Sequence, residues 1–407
     1  MSAADIQIQA LILVPACAVA APLLADRLRR RLAVPTVVFE IVLGILIGPD
    51  VLGWASVGDF LGALSDFGLA MLMFLAGYEI DFARLRGGPL RRAGAAWLLS
   101  LTVALVFGAL LNSDPLNGAF TGLVFTTTAL GTILPVLRDS GALPTPFGSM
   151  TMATGAVGEF GPIIGVAVLL SGNSPTRSAV ILGAFAIVAV TAVGLARRPR
   201  PAWVGRVMRR TLRTSGQFAV RTLILVLGTM VAAAVRLDLD MLLGAFTAGI
   251  VSRLLMAGAA EAEREVVDAK LEAIGFGFLV PVFFVVSGMT FDLESLLHRP
   301  GTLLLVPVFL LCFVVVRGLP AALLAPDLPH RDRAALGLYA ATALPLVVVI
   351  TTIEVDDGHL QSSTAAALVG AGLLSVLLLP LLAQRVLGRS APPEPPADGP
   401  RGQAESW

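Results

Sequence analysis

Thirteen runs of about 17–23 mostly apolar residues divide this chain, and each has the length a helix needs to cross the hydrocarbon of a bilayer. They lie near 8–26, 35–53, 60–79, 93–111, 117–137, 150–171, 179–196, 217–235, 240–256, 271–289, 302–324, 333–351 and 363–385. Backbone groups in hydrocarbon must be satisfied inside the segment itself, so runs of this kind fold as helices. With 56% hydrophobic and 14% charged residues in 407, the chain has far more apolar surface than a water-soluble core can bury. The expected fold class is an all-α polytopic membrane protein of about 13 transmembrane helices. The first run lacks a basic segment before it and is followed by one, so it reads as a retained span rather than a signal peptide.

Charge placement orients the spans. With the N-terminus outside, the inside loops carry Arg27, Arg29, Arg30 and Arg31, then Arg84, Arg86, Arg91 and Arg92, then Arg138. Arg197, Arg198, Arg200, Arg206, Arg209, Arg210 and Arg213 follow, and after them Arg253, Arg264, Lys270, Arg331 and Arg333. The outside loops carry Arg177, Arg236 and Arg299 alone. Basic residues mark cytoplasmic loops, so the expected location is the cell's inner (plasma) membrane, with the C-terminus cytoplasmic. The Arg197–Arg213 run fits a topology signal beside anionic headgroups better than a nucleic-acid site. Cys17 and Cys312 lie inside spans and imply no disulfide framework. His298, His330 and His359 lack metal-ligand spacing, so neither a metal site nor a cofactor is expected.

The runs group as six, one and six: a first repeat at about 8–171, a linker helix at about 179–196, and a second repeat at about 217–385. An odd linker reverses the second six, which gives two inverted repeats. The fifth run holds Thr126-Thr127-Thr128-Ala129-Leu130-Gly131-Thr132 before Pro135. The twelfth holds Ala340-Ala341-Thr342-Ala343-Leu344 before Pro345. Proline removes a backbone donor, and threonine hydroxyls can bond the carbonyls it frees. Broken helices at matching positions of two repeats point to a transport site near the midplane; two ordinary proline kinks are the plainer alternative. Residues 1–388 read as one membrane domain. Residues 389–407 read as a disordered cytoplasmic tail, rich in proline and polar residues, and no GxGxxG unit marks a nucleotide-sensing domain.

Glu159 stands by itself in Met150–Leu170, a stretch with no other charge. A charge at the centre of a membrane helix costs on the order of 2.5–3.5 kcal/mol even on insertion scales, and such residues mark ion or proton pathways. Glu40 is a second deep carboxylate, read mainly as structural. Arg317, in Val314-Val315-Val316-Arg317-Gly318, either pairs with a carboxylate or orients a carbonyl of the second broken helix, or else snorkels to the interface. Asp66 and Glu79 sit near span ends. Glu354, Asp356 and Asp357 read as a solvated loop at the outer end of the twelfth run, with attraction of cations to an outer funnel as the alternative.

Four segments carry a resemblance. Val34-Pro35-Thr36-Val37-Val38-Phe39-Glu40 through Gly48-Pro49 resembles the second-helix signature of bacterial cation:proton antiporters of the Kef type. Leu72-Met73-Phe74-Leu75-Ala76-Gly77-Tyr78-Glu79-Ile80-Asp81 is similar to the end of their next helix. Thr128-Ala129 through Leu134-Pro135-Val136-Leu137-Arg138 resembles their unwound ion-binding helix, and Pro281–Met289 resembles a later apolar segment. The resemblance implies a sodium/proton antiporter fold with crossed discontinuous helices beside a dimerisation domain, and hence a homodimer. It also implies an acidic pair, or asparagine with aspartate, at mid-depth of the sixth helix, where this chain has Gly158 and Glu159.

The expected activity is secondary antiport of a monovalent cation, Na+ or K+, against H+ by alternating access; the chain is not expected to be an enzyme. Glu159 would carry ion and proton in turn, with Thr127, Thr128 and Thr132 as oxygen ligands. Arg317 and Glu40 would be supporting charges, and Gly131, Pro135, Thr342 and Pro345 would shape the broken helices. The missing acidic partner leaves open a proton-coupled exporter of an organic compound or ionophore. A Kef-like potassium efflux protein and a non-transporting membrane sensor also stay open. The bilayer, the cation and H+ are the expected partners, with no nucleic acid.

Overall fold

The computed structural model describes residues 3–29, 36–79, 87–111, 114–170, 175–198, 202–212, 214–237, 239, 241–297, 300–356, 358 and 360–388. The predicted tail at 389–407 lies outside them. So do Arg30, Arg31, Arg84, Arg86, Arg200, Arg213 and Arg299 of the topology pattern, His298, His359 and Asp357, and the Val34-Pro35 and Ile80-Asp81 ends of two resembling segments.

The described chain is helical. In order come α1 (Ala3–Arg29), α2 (Thr36–Ile47), α3 (Asp59–Glu79), α4 (Gly88–Leu111), α5 (Pro115–Val124), α6 (Leu130–Asp139), α7 (Pro146–Leu170), α8 (Pro175–Ala196), α9 (Ala202–Thr211) and α10 (Phe218–Arg236). Then come α11 (Met241–Met256), α12 (Glu261–Ile274), α13 (Val280–Met289), α14 (Leu293–Leu297), α15 (Pro300–Cys312), α16 (Leu319–Leu323), α17 (His330–Ala340), α18 (Pro345–Asp356) and α19 (Ser362–Leu387). A π-helical turn at Gly275–Leu279 joins α12 to α13, and another at Phe313–Gly318 joins α15 to α16. Every predicted apolar run falls on one of these helices or on a successive pair. By length and composition, eight helical stretches among the described residues are apolar enough to cross a membrane.

The helices pack in two sets. In one, α1, α2 and α3 pack with α11 and α13, and α10 packs on α11. In the other, α4 to α7 pack with the segment from α15 to α19. Small residues bring helices of the first set to backbone contact. A Cβ on Gly44 of α2 would overlap the Val285 carbonyl of α13, and one on Gly288 would overlap the Ile41 carbonyl of α2. Without a hydrophobic drive between helices in lipid, close packing of this kind holds them together.

Both predicted interruptions are present. The first lies at Phe125–Ala129 between α5 and α6, and the second at Ala341–Leu344 between α17 and α18. Pro345 opens α18, where its missing N–H costs nothing. Pro135 lies inside α6, so the first break stands a turn ahead of its proline rather than at it.

Candidate functional site

The two breaks meet. The Ala129 N–H donates to the Thr342 carbonyl at 2.7 Å, and the Thr128 hydroxyl donates to the Ala340 carbonyl at 2.7 Å. Ser375 of α19 braces the second break: its hydroxyl oxygen accepts the Ala343 N–H at 2.9 Å. The hydroxyls of Thr126, Thr127 and Thr132 each donate 2.8 Å bonds to carbonyls three residues back, Leu123, Val124 and Ala129. The Thr342 hydroxyl donates to the Leu338 carbonyl, four residues back, at 3.1 Å. These threonines spend their protons on carbonyls of their own turns; those of Leu123, Val124 and Ala129 also accept backbone N–H groups, and the carbonyls of Gly131 and Ala341, four residues before the two prolines, are not the ones the hydroxyls bond. Gly131 is fixed by crowding, since a Cβ there would lie 2.7 Å from Leu72 Cδ1.

α7 is tied to the crossing through Pro162. A proline at position 162 cannot donate to the carbonyl four residues back, which belongs to Gly158. That carbonyl instead accepts the Thr128 N–H at 3.0 Å. One missing donor in α7 thus docks the first break beside residues 158 and 159.

Glu159 is 1% exposed, and neither carboxylate oxygen has a hydrogen-bond partner among the described residues. The Leu130 N–H, at the start of α6, lies near the carboxylate but donates to the Thr128 carbonyl at 3.1 Å. The N-terminal end of a helix favours negative charge. The result is an unpaired acceptor of charge beside the point where two helices are unwound.

Arg317 is 0% exposed, which overturns the snorkelling alternative. It sits in the π turn after α15. Its Nε donates to Thr128 Oγ1 at 2.9 Å and its Nη2 to the Thr154 carbonyl at 2.7 Å. It makes no ion pair with Glu159. Nη1, like the Thr154 hydroxyl, has no partner among the described residues. The guanidinium fills the space that a larger residue at 158 would take: a Cβ on Gly158 would lie 2.5 Å from Nη2 and closer still to Thr128 Oγ1.

The crossing therefore brings together Glu159, Thr127, Thr128, Thr132, Thr342 and Arg317. Glu40 is buried on α2, which packs with α1 and α13 and touches α19. Glu354 departs from the solvated-loop expectation, since it is 2% exposed. Sequence reasoning missed the Thr154 carbonyl and the link between Gly158 and Arg317. Thr154 stands one turn before Gly158, but only the fold places Arg317 against both. At the C-terminal end of α6, Arg138 bonds Glu79 of α3 and lies 2.8 Å from Glu272 of α12.

A family model described as "Sodium/hydrogen exchanger, transmembrane" matches residues 16–388. The putative Na(+)/H(+) antiporter YjbQ of Bacillus subtilis (strain 168) is 27% identical over 96% of this chain and 65% of its own length. The Na(+)/H(+)-K(+) antiporter GerN of Bacillus cereus is 25% identical over 90% of this chain and 93% of its own. The chain spans 45% of Cation/H(+) antiporter 19 of Arabidopsis thaliana, at 26% identity. Among solved structures, the sodium proton antiporter MjNhaP1 from Methanocaldococcus jannaschii matches with a TM-score of 0.67 at 15% identity. The match covers 94% of this chain and 97% of that one, and it establishes a shared fold. With a match running through nearly all of the membrane-embedded helices, this multi-pass membrane protein belongs to the sodium/hydrogen exchanger family, a family of transporters.

Proposed function

We propose that the chain exchanges a monovalent cation, Na+ or K+, for H+ by alternating access. One observation carries the reading: the buried carboxylate of Glu159, unpartnered on both oxygens, lies beside the bonded crossing of two broken helices. A carboxylate in that state lacks a positive ligand, and a cation and a proton compete for it. Each displaces the other, and a neutral, loaded site moves through the membrane at lower cost than a bare charge. Thr127, Thr128 and Thr132 retain lone pairs, and the unwound backbone adds carbonyls, so oxygen ligands for a hard cation are at hand. The names of the relatives agree with this reading.

In the same reading residues 1–388 form one membrane domain of two inverted repeats, at about 8–171 and 217–385, joined by the helix at 179–196. The protein is a homodimer of the inner membrane with its N-terminus outside. The set containing α4 to α7 and α15 to α19 moves against the other. The test is a dequenching assay of a pH gradient in proteoliposomes, with Na+, K+, Li+ and choline added in turn. Dequenching by Na+ or K+, absent in Glu159→Gln, is the expected result. Dequenching by choline alone, or unchanged exchange in Glu159→Gln, refutes the reading.

A further inference from the structure

Glu354 is a buried carboxylate that the exchange site leaves unused. It is 2% exposed, and its Oε1 has no hydrogen-bond partner among the described residues. The described ion pairs use Arg92, Arg138 and Arg253, none of them with Glu354. Leaving such a group buried and unpaired is costly, and buried charges are normally paired or hold a cation.

A second orphan stands on the neighbouring helix. α18, which carries Glu354, packs against α5, and Asn117 of α5 has a buried Oδ1 without a partner among the described residues. Asn117 stands twelve residues before Ala129 and Glu354 twelve residues after Thr342, the two residues that bond at the crossing. α5 leads into the crossing and α18 leads out of it, so packed together they run antiparallel and both orphans lie towards the same end. Two acceptor oxygens do not satisfy each other, because a hydrogen bond needs a donor. They do suit a hard monovalent cation, which takes carboxylate and amide oxygens.

We propose that Glu354 and Asn117 form a second, outer cation site, which captures the alkali cation at the external ends of α5 and α18 before it reaches Glu159. The inference rests on the exchange reading for its direction, and on the two orphaned oxygens for its chemistry. The site deepens that reading by giving the two membrane faces different affinities for the same ion.

The test is sided. Exchange is measured in right-side-out and inside-out membrane vesicles, and the apparent KM for Na+ and for K+ is determined at each face. Glu354→Gln is expected to raise the external KM about tenfold, as loss of one charged ligand implies, and to leave the cytoplasmic KM within about twofold. Asn117→Ala should shift the external KM in the same direction by less, and Asn117→Asp should lower it. An unchanged external KM in Glu354→Gln, or equal changes at both faces, overturns the proposal. If Glu354→Gln fails to fold, the external KM of Asn117→Asp decides: a fall supports the site and no change overturns it. If the wild type exchanges neither cation, the exchange reading fails on its own. The outer site is then judged by equilibrium binding of radiolabelled sodium and rubidium to purified Glu159→Gln. Binding that the Glu159→Gln/Glu354→Gln double variant loses supports the site, and equal binding in both overturns it.

Discussion

Gly158→Ala tests the central packing of the site with a single methyl group. Its Cβ would stand 2.5 Å from Arg317 Nη2 and closer to Thr128 Oγ1. Neither neighbour is free to yield. The guanidinium is 0% exposed and bonded to Thr128 and to the Thr154 carbonyl, while Thr128 itself donates across to Ala340. Overpacking of a dense interior costs about 1–3 kcal/mol. A lost hydrogen bond to a charged group adds about 1.5–3 kcal/mol. We expect Gly158→Ala to cost about 3 kcal/mol or more in thermal unfolding of the detergent-solubilised protein, with loss of exchange. The decisive measurement is a double-mutant cycle. In an Arg317→Ala background the clash with Nη2 is gone and the one with Thr128 remains, so the same glycine substitution should cost less, by about 0.5–3 kcal/mol, the coupling expected of residues in contact. Equal costs in the two backgrounds would refute the packing argument. So would a Gly158→Ala protein that melts and exchanges as the wild type does.

Four further outcomes are expected from the same geometry. Glu159→Gln should abolish exchange yet be at least as thermally stable, because a buried unpaired charge is removed; it should also lose any stabilisation by added cation, read as a melting shift, while Glu159→Asp keeps partial activity with altered affinity. Pro162→Ala should restore an N–H that competes for the Gly158 carbonyl now held by Thr128, so exchange should fall although the helix itself gains a bond; full activity would deny the proline that role. Pro345→Ala should be mild, because the first position of a helix needs no N–H, whereas Ser375→Ala should cost about 1–3 kcal/mol through the orphaned Ala343 N–H, and reversed sizes in melting experiments would contradict the assignment. A single titratable carboxylate at the crossing releases one proton per cation, so exchange should be insensitive to an imposed membrane potential; a strong voltage dependence would require a second titrating group.

Much of the fold was legible because the bilayer constrains it so strongly. Apolar runs of spanning length have one local solution, and each falls on a helix or a pair of helices. The two breaks were also legible, because threonines clustered ahead of a proline are a local signal of a disturbed turn. Their positions came out less well for Pro135 than for Pro345. Proline at an N-terminal helix position marks a break directly, but proline inside a helix such as α6 does not. The π turn at Phe313–Gly318 had no such mark, although it is the turn that carries the buried Arg317.

Glu159 could be found from its surroundings because a lone charge in a long apolar run needs no partner to be conspicuous. The rest of the site is made by contacts between distant segments, and these leave no periodic trace. Gly158 looks like a lost ligand in the sequence. In the fold it is the space into which Arg317, from a helix far along the chain, delivers a permanent positive charge. Glu354 shows the same limit from the other side. Close to Asp356 and Asp357 at the end of an apolar run, it has the composition of a solvated loop, and the packing of α18 on α19 and α5 removes it from water. A carboxylate's neighbours in sequence therefore predicted its setting at mid-helix, where the membrane dictates the solvent. They failed at the helix end, where tertiary packing decides whether the group meets water or another helix.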